Sequence, residues 1–366
     1  MTGLDTLPDA RVAAASTPAR RRSTRAVRAA IVAAVLAVAV IGVVLLSATV
    51  GQFAATPGEV VDAFTKVVFA GQDPNATRAG AVLWQIRFPR AALALLAGAC
   101  LAVAGAVMQG VFANPLAEPS IIGVNSGASI GATAVIVLGF AAVAPWMLPL
   151  AAFAGALVVT LIVWALARTG GKAAVLTLVL TGIAINAIST AITSFLIFLG
   201  DTSSREQVIF WQLGTLADAT WPSVATIAAV FLVGFVGCLL IRRPLDVLAL
   251  GDTSASASGV RVEHLRVAAI LLSCLLSGVA VAFGGMIAFV GLIVPHAIRL
   301  IVGPSHRYLV PLSALGGAVL LGLADIAART IIPFADLPIG IFTAVVGGPL
   351  FLVLLRRTLR GQGVRA

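Results

Sequence analysis

From Ala29 to Val50 the chain runs without a charged side chain, and it does so again from Pro149 to Ala167 and from Val224 to Ile241. Each run approaches the roughly 20 apolar residues that an α-helix needs to cross a hydrocarbon layer ~30 Å thick. Continuous runs are the signature of helices, because a membrane β-barrel would show alternating segments of about ten residues. Composition agrees: 60% of the 366 residues are hydrophobic and 10% charged, against about 25% charged in an ordinary soluble domain. The chain therefore reads as an all-α polytopic membrane protein.

Breakers between the runs give ten expected transmembrane helices, near 29–50, 91–112, 118–140, 147–167, 174–199, 223–241, 265–284, 286–302, 309–328 and 339–355. The seventh and eighth must turn at Gly284-Gly285 with almost no loop, which leaves a shorter helix or a re-entrant segment open there. Arg20, Arg21, Arg22, Arg25 and Arg28 precede the first run as they would in a signal peptide. A cleaved signal has an apolar core of only about 7 to 15 residues, so this one reads as a retained helix. The expected division is a disordered cytoplasmic tail over 1–25, a ten-helix transmembrane domain over 26–358 with a cytoplasmic loop at 244–262, and a second cytoplasmic tail over 359–366.

The net charge of +10 does not gather on one face with interleaved aromatics, so no nucleic-acid partner is indicated. The positive residues sit between apolar runs and favour the side read as cytoplasmic, with both termini there and the chain in the inner or plasma membrane, surrounded by lipid. Cys100, Cys238 and Cys274 lie inside apolar stretches without metal-ligand spacing and read as small hydrophobes. His264, His296 and His306 lie near arginines at helix ends and read as solvated or interfacial. Gly170-Gly171-Lys172-Ala173 lacks the residues of a nucleotide-binding loop. No enzymatic site is expected in this chain, and no metal site.

Asp325 is the acidic residue set deepest in a predicted helix, and Arg329 four residues on predicts a local ion pair. So few buried ionisable groups argue against the alternative of an ion-coupled secondary transporter. Gly98 with Ala102, Gly127 with Gly131, and Gly278 with Ala282 supply the small-residue pairs that let helices approach closely. Leu95 to Gly105 reads against Leu275 to Gly285 as an offset of 180 residues that also aligns Pro115 with Pro295, predicting two inverted halves. The stretch from Arg242 through Asp252 to Val260 is too polar to span and too patterned for a tether. It predicts short surface helices suited to docking another protein.

Several motifs carry a resemblance: Arg87-Phe88-Pro89-Arg90, Gly105 to Gln109 with Asn114-Pro115-Leu116, Gly123-Val124-Asn125-Ser126-Gly127, Thr181 to Asn186, Phe210-Trp211-Gln212-Leu213-Gly214, Leu248 to Gly251, Gly291 to His296, Ala324 to Arg329 and Leu337 to Gly340. In this order the chain resembles the permeases of iron-siderophore, haem and vitamin B12 ABC importers, the type II importer fold. The resemblance implies ten helices per subunit and a second permease copy or sister permease. It also implies two ABC ATPase subunits, which bind the ATP and Mg, so that this chain holds no cofactor, and an extracytoplasmic substrate-binding protein. It implies ATPase coupling through Asp246, Leu248, Ala249, Leu250, Gly251, Asp252, Ala255, Gly259 and Val260, with Leu248, Leu250 and Gly251 presenting the apolar contact. Ser258 stands where the family commonly has leucine. It implies docking of the binding protein at Arg87, Arg90 and Arg329, and a translocation pathway past Asn186, Ser189, Thr190, Thr193 and Thr343. The expected cargo is an iron(III)-siderophore, with haem or cobalamin as the alternative.

Overall fold

The computed structural model describes residues 18–51, 55–169, 172–173, 175–333 and 335–363. It is built from helices α1 (Pro18–Thr49), α2 (Pro57–Val68), α3 (Phe88–Val111), α4 (Val124–Val137), α5 (Met147–Leu166), α6 (Val175–Leu199), α7 (Thr202–Leu213), α8 (Trp221–Leu248), α9 (Asp252–Ala257), α10 (Val262–Gly284), α11 (Val290–Val302), α12 (His306–Ala328) and α13 (Ile339–Gly363). Short helical turns link some of them, and a two-residue ladder pairs Arg168-Thr169 with Lys172-Ala173. Seven helices are long and apolar enough to cross a membrane, and α4, α11 and the Ile339–Val353 part of α13 are shorter apolar helices.

Local chemistry sets several of the starts. Thr220 caps α8 through a reciprocal capping box with Ser223, and Pro222 occupies the first turn, where a missing N–H costs nothing. Thr56 and Glu59 do the same for α2. Helix α1 begins earlier than expected, at Pro18. Residues 18–25 of the expected tail are thus helical, as a proline start followed by good helix formers such as Ala and Arg favours. Residues 1–17 lie outside the described residues. At the other end α13 runs on to Gly363, past the expected boundary at 358, and 364–366 again lie outside.

Helices α3, α10 and α12 form the centre, whereas α1, α6 and α8 keep most of their apolar surface outward. The small-residue pairs mark the tight contacts. Gly98 and Ala102 of α3 meet Gly317 of α12, Gly127 and Gly131 of α4 meet Gly155 and Ala151 of α5, and Gly278 of α10 meets Phe153 and Ala156. At Gly98 a β-carbon would collide with the Gly317 backbone, and the converse holds. Without a hydrophobic drive between helices in lipid, such close backbone packing holds the bundle together.

The seventh and eighth expected helices resolve into α10, a non-helical link over 285–289, and the half-length α11. Thirteen residues of helix reach only about 20 Å, short of a span. Pro295 inside α11 has no N–H for the Gly291 carbonyl. The buried Gln109 of α3 points its Nε2 at the carbonyls of Leu292 (3.1 Å) and Gly291 (3.5 Å) and so satisfies the freed group. The two segments of the 180-residue offset both lie in helices, α3 and α10, but differ at their ends: Gly105 lies within α3 while Gly285 follows α10 with φ +71°, and Pro115 sits in a turn while Pro295 is helical.

Candidate functional site

One end of the bundle gathers the three expected docking arginines. The last turn of α1 leaves carbonyls without helical partners. Arg329 fills this need by donating to Ser47 O at 2.7 Å and Val50 O at 2.9 Å, and Arg87 donates to Ala48 O. Arg90 donates to Asp325 at 2.9 Å and to Asp336 at 2.5 Å. Arg87, Arg329 and Asp325 are buried, and Arg90 nearly so. The expected i,i+4 pair is therefore the weaker one: Arg329 Nε stands 3.6 Å from Asp325, and the shorter contact comes from Arg90, 235 residues earlier in the chain. Nothing in local spacing encodes it. Trp84, Phe88 and Trp221 cluster beside this network, with the Trp221 indole donating to Trp84 O at 2.9 Å.

The opposite end carries the expected coupling segment, and its inner half is not a loop. Helix α8 continues through Pro244 to Leu248, placing Leu245 and Leu248 three residues apart on its buried face. Leu248 is therefore no contact surface, and Ala255 is buried too. Asp246 is also turned inward: it accepts from the backbone N–H of His306 (2.7 Å), from His306 Nδ1 (2.6 Å) and from Ser305 Oγ (3.0 Å). Leu250, by contrast, is 74% exposed. Ala249, Gly251, Asp252 and Gly259 are exposed with it, and Val260 is half-buried. Asp252 is held by Arg266 of α10 at 2.7 and 2.9 Å. Surface helices were expected in this segment, and the six-residue α9 is one.

The histidines correct the sequence reading. His264 is exposed as expected, but His296 and His306 are buried. His306 opens α12 facing Asp246, and its ring lies against Gly110 at the end of α3. Asp336, Ser305 and Arg266 are structural partners that the sequence did not single out, and His306 and Gln109 were named there without the partners they take here. The proline in the turn after α11 and the serine ahead of His306 were the one available signal, a helix start.

The expected pathway stripe divides along α6. Asn186 and Thr190 are exposed, whereas Ser189 and Thr193 turn inward. Asn186 pairs with Ser126 of α4, and the Thr190 hydroxyl returns to Asn186 O at 2.8 Å. Thr343 is buried and donates to Gly340 O at 3.1 Å. A hydroxyl facing hydrocarbon has no partner, so Thr190 and Thr343 take helix carbonyls and Asn186 takes a neighbouring helix, whereas the buried Thr193 hydroxyl makes no hydrogen bond among the described residues. Cys100, Cys238 and Cys274 are buried free thiols, as expected. Among the described residues no group of His, Cys, Asp and Glu could hold a metal ion.

A close-packed helical core, seven helices long and apolar enough to cross a membrane and the half-length α11 beside them fit a multi-pass membrane protein. The chain belongs to the FecCD transport family, whose model matches residues 38–357. It is 42% identical over 282 residues to the hemin transport system permease protein HmuU of Yersinia pestis, covering 75% of this chain and 83% of that one. It is 43% identical over 277 residues to the cobalamin import system permease protein BtuC of Halobacterium salinarum, covering 75% and 73%. A solved inward-facing metal-chelate type ABC transporter superposes with TM-score 0.77 at 32% identity, covering 88% of this chain and 97% of that one. PsaBC from Streptococcus pneumoniae shares the fold at TM-score 0.51 and 19% identity. The chain is thus the membrane-spanning permease subunit of an ABC importer.

Proposed function

We propose that the permease carries a metal-centred chelate, an iron(III)-siderophore in our first reading, into the cytoplasm. Family membership over residues 38–357, together with a metal-chelate type structural neighbour, carries this reading. Relatives that carry hemin and cobalamin favour the second reading, haem or cobalamin. Two ABC ATPases bind ATP and Mg and dock on the exposed surface of Ala249, Leu250, Gly251, Asp252 and Gly259. Both termini lie on that cytoplasmic side. The second permease, a copy or a sister chain, packs along α6 and α13, where Ile183, Ile188, Phe195, Val345 and Leu352 are exposed. The substrate-binding protein docks at the Arg87 end, and charge-assisted bonds to Arg87, Arg90 and Arg329 would give it a defined register.

Uptake of labelled ferric siderophore, haem and cobalamin in a strain lacking this gene tests the cargo. Loss of ferric-siderophore uptake alone is the expected result. Loss confined to haem or cobalamin moves the assignment to the second reading.

A further inference from the structure

We infer that Asp246 is a positioning residue that ties the coupling segment to the core by capping a helix to which it does not belong. The inference rests on the proposed docking of ATPases at the Leu250 surface. The first N–H groups of any helix lack partners within it. At α12 the preceding residue, Ser305, makes no side-chain cap of its own. Asp246, 60 residues earlier, takes that place by accepting from the His306 N–H at 2.7 Å. The same carboxylate takes His306 Nδ1 at 2.6 Å and Ser305 Oγ at 3.0 Å, so three donors of one helix start converge on one side chain of α8.

The position of Asp246 gives this cap a consequence. It stands two residues before the buried Leu248, where α8 ends and the exposed surface begins. At the far side of that surface Asp252 is bonded to Arg266 of α10, and Ala255 is buried beneath it. Between and beyond these anchors Gly251 (φ +104°) and Gly259 (φ +82°) adopt backbone that side chains disfavour, and neither has an atom within 4 Å of where a β-carbon would stand. Helix α9 is thus a short piece bounded by two glycine turns, bonded to α10 through Asp252 and continuous with the end of α8, which Asp246 ties to α12. His306 extends the first anchor, because its ring fits against Gly110 of α3. A push on Leu250 would therefore reach α3, α10 and α12, the three central helices, through Asp246 and Arg266.

The test compares Asp246→Ala, which removes the acceptor, with Asp246→Asn, which keeps a capping oxygen and loses the charge. The complete transporter is reconstituted with its ATPases and binding protein, and transport per ATP hydrolysed is measured. Spin labels at Ser256→Cys and Tyr308→Cys report the distance between α9 and α12 in the permease. Asp246→Ala is expected to broaden that distance and to lower transport per ATP about fivefold, the population change that losing an N-cap brings. Asp246→Asn should restore most of both, and the ATPases should still copurify with each variant. An unchanged distance distribution and unchanged transport per ATP in Asp246→Ala would overturn the inference. If the ATPases copurify normally with Leu250→Asp, the docking reading itself fails, whatever the spin labels show.

Discussion

At the Arg87 end three guanidiniums and the Asp325 carboxylate are buried and engaged within the chain. At the Asp252 end Leu250 and the carboxylate of Asp252 lie open, with only Asp246, Leu248 and Ala255 folded inward. The first arrangement joins the last turn of α1, the start of α3, the end of α12 and the segment leading to α13 into one frame. The second leaves a small helix held at two points. The difference teaches where a partner can gain most. On the proposed docking, an ATPase at the Leu250 surface would meet groups that have little to lose, whereas a binding protein at the Arg87 end would have to compete with Asp325 and Asp336 for Arg90 and Arg329.

The largest contrast comes from removing one carboxylate at each end. Asp325→Ala leaves Arg90 and Arg329 facing each other in a buried site, a change expected to cost about 3–5 kcal/mol. Asp252→Ala breaks a pair whose carboxylate is 56% exposed, and solvent screening holds its cost to about 1 kcal/mol or less. Thermal unfolding of the purified permease in detergent should show a large loss for the first and a small one for the second. Equal losses would erase the distinction between the two ends.

Leu250→Asp should leave unfolding of the permease unchanged, because the side chain already faces outward. In the complex it would bury an unpaired charge, at a cost on the order of a few kcal/mol, and the ATPases should no longer copurify. Normal assembly would remove this surface from the docking account.

A smaller effect sharpens the comparison at the other end. Asp336 is 36% exposed and holds Arg90 at 2.5 Å. If it competes with the binding protein, Asp336→Asn should strengthen association by up to about 1 kcal/mol, measured by titration calorimetry in nanodiscs, and Arg90→Glu should weaken it. No change in either variant would assign Arg90 wholly to the internal frame.

The smallest expected effect is in α2. The Thr56 backbone N–H, then its hydroxyl, hold the Glu59 carboxyl below the usual carboxylate range. A lowered folded-state value means that the cap is at full strength above the unfolded carboxylate's pKa and fades as pH falls through the folded one. Amide exchange at the start of α2 should speed up over that acid window, and Glu59→Gln should flatten the dependence.

Much of the fold was legible because membrane helices carry their signal locally, in run length and small-residue spacing. Gly98, Gly127 and Gly278 all mark helix contacts, as their spacing suggested. The polar sites were harder, since their partners are remote in sequence: Arg90 with Asp325, and Asp246 with His306. The polar run from Arg242 also misled, because it reads as a helix end near 241, yet α8 continues through Pro244 to Leu248. Continuing α8 past it rotates Leu248 inward and leaves Leu250 outside, a distinction that two leucines two residues apart do not show in sequence.

The most direct test of the account is uptake by proteoliposomes holding the permease, its ATPases and its binding protein, loaded with a labelled chelate outside. Accumulation should require ATP and Mg on the ATPase side, be abolished by Leu250→Asp, and ignore an imposed pH gradient. Accumulation driven by the pH gradient with no nucleotide present would contradict it.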